Sequence, residues 1–216
     1  MSVNIFNVSG ETAIVRGGAT IVLIISALVL LGWKMDAPVL KSVISEWVSM
    51  KVPTALSLWL GSTMLMVMTL PRVKWAMMFI SACSWLLLLM VFQLAVIASY
   101  GMTLNFIFPD DSNFTVTPQM PSLVGLLCIT MIGVAGIVWL YNTQKCERRM
   151  KIIAYALFGV GIVGVMGYLF GMPALYYYWP SVSTGMSAHT AFCMAVIGLC
   201  IHSIAISECP NKKEAT

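Results

Sequence analysis

Apolar runs of about twenty residues alternate along this chain with short polar or turn-rich segments. Six such runs stand out, at residues 13–33, 52–70, 75–98, 122–141, 152–170 and 189–206. About 20 mostly apolar residues in an α-helix are enough to cross the hydrocarbon core of a bilayer. The pattern therefore predicts an all-α membrane protein with six transmembrane helices and no further domain. The polar links alternate in length. Those at 71–74 and 142–151 are short, whereas those at 34–51, 99–121 and 171–188 are longer and mostly rich in proline, glycine and aromatic residues. Read in pairs, the runs form three helical hairpins, at about 13–70, 75–141 and 152–206, followed by a short tail at 207–216.

Composition agrees with lipid as the main solvent. Hydrophobic residues make up 60% of the chain and charged residues only 9%, against roughly 25% charged in a soluble domain. With both termini inside, the cytoplasmic segments carry nine basic residues, Arg16, Arg72, Lys74, Lys145, Arg148, Arg149, Lys151, Lys212 and Lys213, against Lys34, Lys41 and Lys51 outside. That asymmetry is the positive-inside signature, and it accounts for the net charge of +4 without any nucleic-acid surface. Trp33, Trp47 and Tyr176 fall at the outer boundary and Trp75, Trp139 and Tyr141 at the inner one, as aromatic belts do. The polar start of the chain has no basic n-region and no small-residue cleavage site, so no removable signal peptide is expected. The six cysteines have no CxxC spacing and mostly lie in apolar runs, which reads as small core residues and not as a disulfide frame or a zinc site.

The hairpins resemble one another. The second run of the first hairpin opens Met50-Lys51-Val52-Pro53-Thr54-Ala55-Leu56, and that of the third opens Met186-Ser187-Ala188-His189-Thr190-Ala191-Phe192. The middle hairpin has a decayed form, Met120-Pro121-Ser122-Leu123-Val124-Gly125-Leu126, so the methionine spacings are 70 and 66 residues. The preceding segments match as well. Gly32-Trp33 and Pro38-Val39-Leu40 correspond to Gly167-Tyr168 and Pro173-Ala174-Leu175. Physically the motif is a helix start at a membrane boundary. Proline needs no backbone donor in the first turn, threonine satisfies an exposed backbone group or a neighbouring helix, and alanine permits close helix approach.

These residues, from Gly32 to Leu56 and from Gly167 to Ala191, resemble the N-terminal integral-membrane sensor region of bacterial histidine kinases and diguanylate cyclases, over about residues 13–206. The resemblance implies a six-helix sensor in the bacterial cytoplasmic membrane that feeds a cytoplasmic output domain. After Ile206 this sequence has only ten residues and no kinase, cyclase or phosphoacceptor segment. The expectation is either a truncated sensor region or a relative that acts through another membrane or cytoplasmic protein.

Candidate chemistry is sparse. No acidic residue and no lysine falls inside a run, there is no nucleophile motif or phosphate loop, and enzymatic activity is not expected. His189 and His202, thirteen residues apart on one helix, are separated by about 140° in azimuth and about 20 Å in height, so they cannot share a metal. Haem at either one needs partner histidines that the chain lacks. The outer methionines Met35, Met50, Met102, Met120, Met172 and Met186 would suit Cu(I), but methionine is also a flexible apolar filler, and no cofactor is expected. The outer end, with Thr54, His189, Thr190 and the aromatic run Tyr176, Tyr177, Tyr178 and Trp179, is the expected contact surface for a ligand or a partner. Two functions fit, a non-catalytic sensor acting through a partner protein and an accessory subunit of a larger membrane complex.

Overall fold

The computed structural model describes residues 5–44, 47–99, 120–141, 145–177, 184–207 and 209, with backbone alone at 5–9. Among these residues the fold is all-helical: α1 (Ile5–Lys34), α2 (Pro38–Lys41), α3 (Val52–Met68), α4 (Lys74–Ser99), α5 (Leu123–Tyr141), α6 (Cys146–Leu169) and α7 (Ala188–Ser207), with a 3-10 turn at Pro173–Leu175. The helices α1, α4, α5, α6 and α7 are long and apolar enough to cross a membrane. The equally apolar α3 has 17 residues, about 26 Å at 1.5 Å per residue. The helices α1 and α6 begin upstream of the apolar runs, because their first turns carry polar residues that need not be in lipid.

Packing follows a cyclic rule. Each of the long helices α1, α4 and α6 lies on its own hairpin partner and on the inner helix of the preceding hairpin: α1 on α3 and α7, α4 on α5 and α3, α6 on α7 and α5. The inner helices α3, α5 and α7 all touch one another. Their contact faces supply most of the core, with Leu58, Met64, Leu65, Ile129, Ile132, Trp139, Ile197 and Ile201 fully buried. The outer helices turn large apolar side chains outward, among them Ile24 on α1, Trp85 and Phe92 on α4, and Leu169 on α6. An outward apolar shell around a packed centre is what lipid solvation requires.

The tightest pairing is α6 with α7, where small residues bring the two backbones together. A Cβ on Gly198 would stand 2.7 Å from the Phe158 nitrogen and 2.8 Å from the Ala154 oxygen, and one on Gly161 would collide with the backbone of Ala195 and Ala191. Helix association in lipid has little hydrophobic driving force, so close van der Waals approach of this kind carries much of it.

The end of the bundle away from the starts of α3, α5 and α7 has its own ties. Arg16 Nε donates to Thr69 Oγ1 at 3.2 Å, and the Arg72 guanidinium lies 4.1 Å over the Trp139 ring and donates to the Trp139 carbonyl at 3.3 Å. Cys146, at the start of α6, is disulfide-bonded to Cys209, just past α7. This corrects the reading of all six cysteines as simple core residues. Cys83, Cys128, Cys193 and Cys200 are free and buried within helices, but Cys146 and Cys209 sit at the bundle end, where the two termini of the α6–α7 hairpin meet.

Replacing Gly198 with valine should lower the thermal midpoint in detergent by an amount matching about 1–3 kcal/mol of overpacking. Gly159→Ala, at a position with no neighbour within 4 Å, should leave the midpoint unchanged or raise it slightly. Equal behaviour of the two variants in a melting assay would contradict the backbone contact.

Candidate functional site

The corners that follow α1 and α6 are built by the same bonds, at positions 135 to 136 residues apart. At the end of α1, Met35 N donates to Leu31 O and Ala37 N to Gly32 O, both at 2.9 Å. At the end of α6, Phe170 N donates to Met166 O at 2.9 Å and Met172 N to Gly167 O at 2.8 Å. The chain then reverses through a positive φ, +52° at Asp36 and +63° at Gly171. Glycine meets that conformation without steric cost, and aspartate is one of the few other residues that tolerates it. A short turn follows, α2 in one corner and the 3-10 turn in the other, and it places Leu40 against Gly32 and Leu175 against Gly167.

Each corner is closed by a methionine. Met50 N donates to Lys41 O at 2.9 Å and Met186 N to Tyr176 O at 2.8 Å. The carbonyl of Met50 accepts from Trp33 Nε1, and that of Met186 accepts from Tyr168 Oη, both at 2.8 Å. An indole and a phenol thus do the same work, tying the end of one helix to the start of the next. The third methionine carbonyl, that of Met120, accepts from Thr184 Oγ1 at 2.9 Å. Lys41 lies 4.5 Å over the Trp33 ring and forms an ion pair with Asp36. Its hydrogen bond and its charge together hold the Asp36 carboxyl below the usual carboxylate range.

The inner helices begin side by side. A helix start leaves backbone N–H groups without partners, and the three helices meet this differently. Pro53 fills an early position of α3 and needs no donor partner. Ser122 Oγ accepts from Gly125 N at 3.0 Å, and Ser187 Oγ accepts from Thr190 N at 3.2 Å while bonding the Thr190 hydroxyl at 2.8 Å. The three starts enclose one small polar pocket lined by Lys51 and Thr54 at the start of α3, Ser122 and Gly125 at the start of α5, and Ser187 and Thr190 at the start of α7, with Ser49 and Thr184 beside them. The third residue of each inner helix, Thr54, Gly125 or Thr190, therefore faces the same space. In the middle hairpin this sets Gly125, and not Val124, opposite the threonines, and Met120 stands three residues before its helix, whereas Met50 and Met186 stand two before theirs.

The pocket has about 10 Å³ of free volume, room for a water-sized guest. Thr54, Thr190 and Lys51 are each only 4% exposed. Three helix N-termini converge on it, so its chemistry suits a hydrogen-bond acceptor.

The expected contact residues divide between two environments. Thr54 and Thr190 are inside the polar pocket. His189, one residue earlier on α7, points elsewhere, into an apolar cavity of about 310 Å³ lined by Val43, Trp47, Val165, Tyr168, Leu169, Ala188 and Phe192. Its Nδ1 is enclosed and has no hydrogen-bond partner among the described residues. The Tyr176 ring stacks on Tyr168 at 4.0 Å, so it braces the third corner, and Tyr177 packs near Gly185. Tyr178 and Trp179 lie outside the described residues. The repeat residues Met50, Met120, Met186, Ala55 and Ala191 are all buried. The sequence reading missed Lys51, Ser122, Ser187 and Thr184. The signal for the two serines was present, since each stands immediately before its helix and three residues ahead of the position it caps.

No family model, curated protein or solved structure matches this chain.

Tyr168→Phe removes the donor from a buried carbonyl and should cost about 1–3 kcal/mol. Trp33→Phe should cost a similar amount plus lost packing, because it breaks the equivalent bond in the other corner. Thermal unfolding of the two single variants and the double variant in detergent would test this, with non-additive losses expected because the Tyr168 ring also packs 4.7 Å from Trp47, three residues before Met50.

Proposed function

We propose that this chain is a six-span module of the bacterial cytoplasmic membrane, made of three repeated hairpins with both termini in the cytoplasm, and that it works as a non-catalytic sensor acting through a partner protein. The observation that carries the reading is the meeting of three helix starts around one buried polar pocket in an otherwise apolar bundle. The matched corners and the cyclic packing support the repeat. The shared pocket supports α3 as a full span, since its start lies beside those of α5 and α7, while Thr69 and Arg72, just past its other end, bond to Arg16 and Trp139. The basic-residue asymmetry supports the orientation.

A hydrogen-bond-accepting group of a membrane ligand or lipid headgroup that reaches the pocket touches α3, α5 and α7 at once. Its arrival or loss changes the spacing of those starts. α3 and α7 are stiff rods that begin at bonded corners, so the change reaches the inner end as a shift of about 1–2 Å, the scale on which helix switches work. The partner reads that shift there.

A second reading, an accessory subunit of a larger membrane complex, draws on α4, where Met78, Trp85 and Phe92 repeat every seven residues on an exposed face. Such a stripe suits a neighbouring helix as well as lipid.

On the sensor reading, Thr54→Val or Thr190→Val preserves folding and partner co-purification in mild detergent and lowers the partner's response at least about tenfold, roughly the worth of one buried hydrogen bond. On the accessory reading those variants are silent, and alanine at Met78, Trp85 and Phe92 releases the partner. Catalytic turnover or ion flux by the purified chain alone in liposomes would refute both. For the topology, cysteines placed at Ser45 and Ser112, which lie outside the described residues, should react with an impermeant maleimide in intact cells. Because Cys146 and Cys209 are bonded, their silence in that assay is informative only after reduction.

A further inference from the structure

The Cys146–Cys209 pair joins residues 63 positions apart across the ends of the α6–α7 hairpin, with their Cα atoms 5.8 Å apart, a separation that a disulfide spans readily. On the proposed topology, on which this inference rests, that corner faces the cytoplasm. Thiols there are kept reduced, and a disulfide in such a compartment is characteristically transient. The surroundings are also those of a reactive thiol. Cys146 is the first residue of α6, so a thiolate there meets the positive end of the helix, and Lys145, Arg148 and Arg149 are exposed around it. The one nearby carboxylate on α6, Glu147, is engaged by Lys151 at 2.6 Å. The other four cysteines are free and buried within helices, with no cysteine partner.

We propose that Cys146 and Cys209 form a reversible thiol–disulfide exchange site whose oxidant is a small anionic disulfide drawn to this basic corner. In the oxidising direction the Cys146 thiolate attacks one sulfur of the small disulfide, forming a mixed disulfide and expelling one small thiolate. The Cys209 thiolate then attacks the Cys146 sulfur, closing the protein bond and expelling the second small thiolate. Two protein thiols are oxidised, one small disulfide is reduced to two thiols, and the two protons released from the cysteines pass to the departing thiolates. Cys146 and Cys209 are 2% and 3% exposed, so exchange passes through opening of this corner and is slower than at a surface thiol. The bond ties the segment just beyond α7 to the start of α6. Reduction frees the inner end of α7, while its outer part stays locked by the glycine contacts with α6.

The test uses the purified full chain in detergent, equilibrated in glutathione buffers of graded reduced-to-oxidised ratio, acid-quenched, alkylated and weighed. A two-thiol change that titrates across the series and reverses, with Cys209→Ser trapping glutathione on Cys146, supports the proposal. A pair that stays bonded in fully reduced glutathione, or stays open in fully oxidised glutathione, overturns it. Glutathione disulfide should react at least about fivefold faster than neutral hydroxyethyl disulfide at low salt, a gap that closes at high salt. Equal rates at low salt would overturn the anionic oxidant. The topology is tested separately. If an impermeant phosphine and an impermeant maleimide open and label the pair in intact cells, the both-ends-inside reading fails, and with it the cytoplasmic role of the site, whatever the titration in detergent shows. Loss of fold in Cys209→Ser would not obscure the result, because the titration is read on the unmutated chain.

Discussion

Every backbone donor and acceptor of a chain in lipid has to find its partner inside the protein, and the rest of this structure depends on that constraint. Within a helix the requirement meets itself. At a helix start it does not, because the first turn has N–H groups with no carbonyl behind them, and the turn before it has carbonyls that point away from any helix. The inner helices answer with a proline in α3 and capping serines before α5 and α7, and the three methionine carbonyls ahead of them are taken by Trp33, Thr184 and Tyr168. Once these solutions stand side by side, hydroxyls and amides collect at one point. The pocket is thus first a by-product of satisfying backbone, and its availability for recognition follows from that.

The same constraint explains why the hairpins are not equally tight. The α6–α7 pair packs backbone on backbone through Gly161 and Gly198 and is fastened at its outer corner by Tyr168 and at its inner end by Cys146–Cys209. The α1–α3 pair has its outer corner fastened by Trp33 and its inner end by the weaker Arg16–Thr69 bond. A disturbance at the pocket therefore meets a stiff hairpin on one side and a softer one on the other. Reduction of the disulfide would make the two more alike.

Much of this was legible in the sequence because hydropathy acts at the scale of a whole helix. Each apolar run of about twenty residues corresponds to a helix, and the Gly-aromatic, Pro-x-Leu and Met signatures mark the two corners whose bonds coincide. What stayed hidden depends on single-residue register or on distant contacts. A one-residue offset separates Val124 from Gly125, and methionine, common in this chain, is a poor ruler. The capping serines give the better register because their bonds fix the helix start. His189 and Thr190 look like one site in a linear motif, yet successive residues on a helix differ by about 100° in direction, so one faces an apolar cavity and the other the polar pocket. The cysteine pairing was invisible because cysteine is also an ordinary buried residue in apolar runs, and nothing local marks two thiols 63 residues apart as neighbours.

Electrostatics give the pocket its leverage. Three helix N-termini, each equivalent to roughly half a positive charge, meet at the pocket, which is an arrangement of like partial charges. The oxygens of Ser122 and Ser187 turn toward the N–H groups and offset part of that repulsion, and the remainder favours any guest that offers a lone pair. An anionic guest of this kind gains about 0.3–1 kcal/mol from each helix end it meets. Energies of that size are too small to unfold a membrane bundle. They are large enough to shift the populations of two helix spacings several-fold, which is what the proposed sensing role requires.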